Sequence, residues 1–201
     1  IKPKLYYDFS ENLKLTVSNR FYNQKIDNKA VIETKQYQGD ATEKEWNSQL
    51  KLEHKWNSKF YSEYELYATN YKNDTFLNDE NSLPFEKSYY NQWLFRPEVR
   101  TTFSIRDNKL TAGIGVNHET LDRTYFDSNV VFNSQYVFVQ YDYNPKKKLN
   151  ILAGFRYDKH SEYASQLSPK LAANYKITDD FSLKASVGYG YKAPDFRQLY
   201  F

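Results

Sequence analysis

Phe181-Ser-Leu-Lys-Ala-Ser-Val-Gly-Tyr-Gly-Tyr191 alternates without a break. Phe181, Leu183, Ala185, Val187, Tyr189 and Tyr191 fall on one side, and Ser182, Lys184, Ser186, Gly188 and Gly190 on the other. A period of two is the mark of a β-strand with two chemically distinct faces. Upstream the pattern returns: Leu149, Ile151, Ala153, Phe155 and Tyr157 oppose Asn150, Leu152, Gly154, Arg156 and Asp158. It returns again in Trp93, Phe95, Pro97, Val99, Thr101, Phe103 and Ile105 against Leu94, Arg96, Glu98, Arg100, Thr102 and Ser104. Ten such segments lie near 1–9, 13–25, 44–56, 59–71, 91–105, 109–122, 134–144, 149–160, 168–177 and 181–192. No helical period competes.

The connections alternate in length. Short turns fall at Ser10–Asn12, Asn57–Ser58, Asp107–Asn108, Pro145–Lys148 and Thr178–Asp180, and longer loops near 26–43, 72–90, 123–133 and 161–167. Short turns at one end and long loops at the other describe a transmembrane antiparallel up-and-down β-barrel, all-β in class. Eleven residues at about 3.3 Å each, tilted by about 45°, span roughly 25 Å, the height of the apolar band of such barrels.

Charge separates a membrane sheet from a soluble one. The apolar parity holds no Asp, Glu, Lys or Arg in its central stretches, His54 being the closest exception. The opposite parity holds Lys14, Arg20, Lys51, Glu53, Glu63, Glu65, Arg96, Glu98, Arg100, Asp142, Arg156, Asp158, Lys170, Lys176 and Lys184. An Arg or Lys facing lipid at the midplane costs about 2–4 kcal/mol, which enforces this segregation. Aromatic residues gather at both strand ends: Phe9, Trp56, Phe60, Phe103, Tyr143 and Phe181 by the short turns, Phe21, Trp46, Trp93, Tyr157 and Tyr189 toward the loops. Amphipathic rings prefer the headgroup level, so two belts mark two interfaces. A soluble β-sandwich would alternate too, but would have no reason for the belts.

Composition closes several alternatives. Lys plus Arg number 28 against 25 Asp plus Glu, a balance without the basic excess that binds nucleic acid. With no cysteine, thiolate metal sites, disulfides and cysteine nucleophiles are excluded. No apolar run is long enough for a transmembrane helix. The mean hydropathy of −0.87 suits a barrel whose alternate residues face water.

Phe155-Arg-Tyr-Asp-Lys-His-Ser-Glu162, Leu167-Ser-Pro-Lys-Leu-Ala-Ala-Asn-Tyr175 and the strand from Asp179 that ends in Tyr191-Lys-Ala-Pro194 follow one another in the C-terminal third. In these motifs the chain resembles the barrel of TonB-dependent outer-membrane receptors. Gly113-Ile-Gly-Val-Asn-His-Glu-Thr-Leu-Asp-Arg123 is similar to a receptor strand climbing into an extracellular loop. The motifs cover roughly 95–200, and over 1–90 the match is architectural only. The resemblance implies that residues 1–201 supply about ten strands of a larger, 22-stranded barrel of the bacterial outer membrane. It further implies an N-terminal plug domain and remaining strands outside this sequence. Import of a ferric siderophore, haem or cobalamin, driven by the TonB–ExbB–ExbD complex, is the function so implied. Outer-membrane lipid is the other expected partner, and no resident cofactor is expected.

Candidate sites follow from position. His118, Tyr125, Phe126, His160 and Lys192 lie toward the loops, where a large nutrient would be met; an imidazole can ligate haem iron. Glu63, Glu65, Arg96, Glu98 and Arg100 point to the polar side and are candidates to face the plug. The glycines at 113, 115, 188 and 190 leave room there for bending or for close approach of the plug. Neither a catalytic constellation nor a metal site emerges. The competing readings are a closed ten-stranded outer-membrane protease or lipase, and a passive porin.

Overall fold

A short turn after each strand leaves the chain one economical course, back beside the strand it has just made. In the computed structural model, which describes residues 1–124, 126–190, 196 and 199, this happens nine times in succession. The strands are β1 (Lys4–Ser10), β2 (Leu13–Ile32), β3 (Lys35–Lys55), β4 (Phe60–Asn78), β5 (Pro84–Ile105), β6 (Asn108–Arg123), β7 (Val130–Lys146), β8 (Leu149–His160), β9 (Gln166–Lys176) and β10 (Ser182–Gly188). They form one antiparallel sheet in sequence order. Among the described residues no ladder joins β10 to β1, so the sheet does not close as a ten-stranded barrel.

The two faces have the chemistry that the alternation predicts. Across one row Leu110, Tyr141, Ala153, Leu171 and Val187 stand in register. This apolar face is uncovered: Leu183 is 61% exposed, Val187 70% and Ile114 56%. The ionised face is the sheltered one, with the side chains of Glu98 and Glu65 only 11% and 15% exposed. A soluble sheet would bury the other side.

The strands run further than the apolar alternation does. The expected loops 26–43 and 72–90 are mostly ladder, because β2 and β3 pair to Ile32↔Lys35 and β4 and β5 to Asn78↔Pro84. The first of these hairpins closes through Glu33 and Thr34, both with positive φ (48° and 77°), as a two-residue turn of this hand requires. The turn after β5 is Arg106–Asp107, one residue earlier than expected, with Arg106 at φ 53°. The last strand, expected over 181–192, pairs over Ser182–Gly188; residues 191 and 192 lie outside the described residues.

Space left by two glycines is already taken. Gly113 and Gly115 pair across the ladder with Phe138 and Tyr136, whose rings lie over them. A Cβ on Gly113 would sit 2.4 Å from the Phe138 ring, and one on Gly115 2.3 Å from the Tyr136 ring. The rings of β7 fill this room.

Two substitutions test this arrangement in the intact protein folded into lipid vesicles. Gly115→Val drives a branched side chain into Tyr136 and is expected to cost about 1–3 kcal/mol in denaturant unfolding. Ala112→Val, on the exposed face of the same strand, leaves the midpoint where it was. Equal midpoints for all three proteins would refute the packing described.

Candidate functional site

The polar face carries a continuous charge ladder from the short turns upward. Near the turns the Tyr61 hydroxyl donates to Glu53 at 2.5 Å, and Lys51 lies 3.0 Å from Glu53 and 3.5 Å from Glu63. Arg100 Nε stands 3.8 Å from Glu63 and donates to Glu98 at 3.0 Å. Arg96 reaches Glu65 at 3.1 Å and lies 5.0 Å from the ring centre of Tyr67. The sheet thus brings Glu63, Glu65, Arg96, Glu98 and Arg100 together as one group. It adds a partner that position alone did not suggest: Tyr136, whose hydroxyl donates to Glu98 at 2.5 Å. Arg156 stacks 3.8 Å above the Tyr136 ring and makes three hydrogen bonds to the Asp158 carboxylate. Cross-strand pairs of opposite charge each contribute roughly 0.2–1 kcal/mol, so the ladder's main effect is to leave few polar atoms without partners.

At the loop end of the same face the chemistry turns aromatic. Leu121 and Phe132 are buried against Phe196, with Tyr90, Phe126 and Val130 packed around them. The rings of Phe132 and Phe196 stack at 4.5 Å. His160 meets Phe132 edge-on at 5.3 Å and Tyr163 at 4.7 Å. Beside this cluster a cavity of about 390 Å³ is lined by Tyr71, Asn73, Tyr90 and Arg123, among others. Arg123 also lies 5.5 Å from the Phe126 ring centre, which links cavity and cluster. That volume lies within the range of small-molecule sites, and aromatic walls with one cation can grip a flat anionic ligand.

The candidates from sequence therefore divide. Phe126 and His160 join the cluster. His118 shares the outward parity of Ile114 and Val116, and its Nδ1 lies 2.7 Å from Asn133 Oδ1, so it stands on the face away from the cavity. Tyr125 and Lys192 lie outside the described residues. Sequence reasoning missed Tyr71, Tyr90 and Arg123. Extending the parity of Glu63, Glu65 and Arg96 past the aromatic belt would have found them.

His160 supplies a pH-dependent element. Its Nδ1 accepts the Glu162 backbone N–H at 3.1 Å. Burial pushes its pKa below the ordinary imidazole value, and the Glu162 carboxylate opposes this only in part. The folded cluster therefore prefers neutral His160. As pH falls the unfolded segment takes up the proton first, so the contribution is complete above about pH 6.5 and is lost through and below that value. Hydrogen-exchange protection factors over residues 130–134 should fall between pH 7.5 and 5 and stay flat in His160→Phe. Identical pH profiles for the two proteins would contradict this.

Comparison with known proteins agrees with this geometry. The ferric enterobactin receptor PfeA of Pseudomonas aeruginosa superposes with a TM-score of 0.75 at 15% identity, over 98% of this chain and 33% of that one. The FrpB iron transporter of Neisseria meningitidis gives 0.76 at 13% identity, over 96% and 36%. In sequence, the probable TonB-dependent siderophore receptor PirA of Acinetobacter baumannii is 28% identical over 61% of this chain and 17% of its own length. The chain thus spans about a third or less of the relatives it matches. The family described as TonB dependent receptor-like, beta-barrel, matches residues 3–201, and the chain belongs to that family.

Proposed function

We propose that this sheet is part of the wall of an outer-membrane importer of a ferric siderophore, energised by the TonB–ExbB–ExbD complex. The observation that carries the reading is the aromatic and cationic lining at the loop end, set above a charge-laddered wall. A siderophore already saturates its iron, so its receptor needs stacking surfaces and charge rather than metal ligands. Tyr71, Tyr90 and Arg123 offer those, and among the described residues no group of three His, Asp or Glu could hold a metal ion. Family membership supports transport over hydrolysis, and the names of the relatives favour siderophore as cargo. Haem bound between two imidazoles is disfavoured because His118 and His160 stand on opposite faces of the sheet. Cobalamin is the remaining competing cargo.

In this reading Glu63, Glu65, Arg96, Glu98 and Arg100 face a plug domain. Their carboxylates already have partners within the sheet, so a plug could shift without leaving buried charges unpaired. Such a wall favours movement over tight docking.

The test uses the intact receptor in iron-starved cells, with uptake of a radiolabelled ferric siderophore and its binding measured together. Uptake should require TonB. Replacing Tyr90→Ala and Arg123→Gln together should weaken binding by about tenfold or more, as expected when a stacking surface and a charge-assisted hydrogen bond are both lost. TonB-independent flux of small sugars would overturn the reading in favour of a porin. Uptake of cobalamin but of no ferric siderophore would overturn the choice of cargo.

A further inference from the structure

On the apolar face, Lys44 and Lys72 stand directly opposite each other across β3 and β4. Like charges in that position repel and destabilise a ladder. Both side chains are exposed, and among the described residues neither takes part in an ion pair or side-chain hydrogen bond. Two other outward charges nearby find partners: Lys25 lies 3.4 Å from Asp40, and Asp122 accepts the Tyr89 hydroxyl at 2.9 Å. Asp74, opposite Thr42, is the one carboxylate diagonal to Lys44, and no ion pair joins them. Among the described residues no ion pair ties down either member of the dilysine.

Its height is informative. One row below stand Trp46, Asn70 and Trp93, aligned across β3, β4 and β5. The two indoles meet edge-to-face at 5.8 Å, and Asn70 between them donates to Asn91 at 2.7 Å. Trp46 to Trp56, by the short turn, is ten residues. That is about 33 Å along a strand and, at a tilt of roughly 45°, about 23 Å across, the height of the hydrocarbon band. Two residues further, Lys44 and Lys72 sit about 5 Å above the indole row by the same geometry, at the level of lipid headgroups.

We propose that Lys44 and Lys72 together bind the phosphate of a membrane lipid, whose acyl chains descend over the Trp46–Trp93 shelf and the apolar face beneath it. A phosphate between the two ammonium groups turns a repulsive pair into two charge-assisted contacts. This inference rests on the reading of the apolar face as lipid-facing.

The experiment is native mass spectrometry of the intact receptor, freed of lipid in detergent, with three probes. These are dioleoyl phosphatidic acid, the matching diacylglycerol, and inorganic phosphate. Phosphatidic acid should be retained at least about tenfold better than diacylglycerol. K44Q/K72Q should bring it down to the diacylglycerol level, while K44R/K72R keeps it. Heat-modifiable gel mobility checks that each variant is folded, and Lys55→Gln, at the short-turn end, serves as a control without effect. Unchanged retention in K44Q/K72Q would overturn the site. Equal binding and full competition by inorganic phosphate would overturn the lipid assignment in favour of a free-anion site. Ferric siderophore uptake by K44Q/K72Q, run in parallel, should match the parent; its absence from the parent would count against the transport reading and leave the lipid result standing.

Discussion

Hydrocarbon supplies no partner for a backbone amide, so inside a bilayer every peptide group must find its mate along the ladder. That requirement fixes ten strands in consecutive order, and the pleat then leaves only one face wet. Register becomes an electrostatic matter. Slipping β5 by one residue would turn Arg96, Glu98 and Arg100 toward the exposed face, at about 2–4 kcal/mol for each arginine near the midplane. Few apolar contacts could offset such a penalty. The charges therefore hold the register as firmly as a packed core would in a soluble sheet.

Confinement to one face has a second consequence. Glu63, Glu65, Arg96, Glu98 and Arg100 are crowded together: Glu65 stands directly opposite Glu98, and Arg96 and Arg100 on either side of Glu98 bridge the three carboxylates. Tyr136 extends the network to β7 and β8, and it reaches Glu98 because Gly115 lets its ring lie flat over β6. A glycine, an aromatic ring and a carboxylate thus make one structural unit spread over three strands. A side chain added at the glycine disturbs a hydrogen bond between the two strands that flank it.

Much of this was legible in the residues. Leu183, Val187 and Phe155 show the exposed apolar side, and Arg96, Glu98 and Arg100 the sheltered one, as their parity indicates. What the pattern could not show lies past the aromatic belt. In 26–32 and 35–43 the alternation reverses: Ile26, Ala30, Tyr37 and Ala41 share the sheltered face, with Tyr37 and Ala41 buried, and Asp27, Lys29, Gln38 and Asp40 the other, so the parity that marks the spanning strands breaks and the ladder looks like a polar loop. The Glu33–Thr34 turn adds to the disguise, because it lacks the Asn or Gly that positive φ usually demands. The aromatic cluster was half visible. Phe126 and His160 stand out by their position near the loops, but Phe196 lies more than sixty residues beyond Leu121 and Phe132, and only the fold brings it to them.

Past the belt the principle that selects residues changes. Within the bilayer the solvent decides, and parity separates hydrocarbon from water. Above it the inner face still shelters apolar groups, among them Tyr37, Ala41, Leu121 and Phe132, beside Tyr71, Tyr90 and Arg123, and the outer face carries Lys44 and Lys72. We take this contrast to mean that something other than solvent meets each face. On the inner side aromatic walls and a cation surround a cavity; on the outer side two unneutralised ammonium groups stand over a shelf of indoles at headgroup height. On that proposal the strands that run past the aromatic belt keep the two-faced logic of the strands within it, with partners in place of solvents.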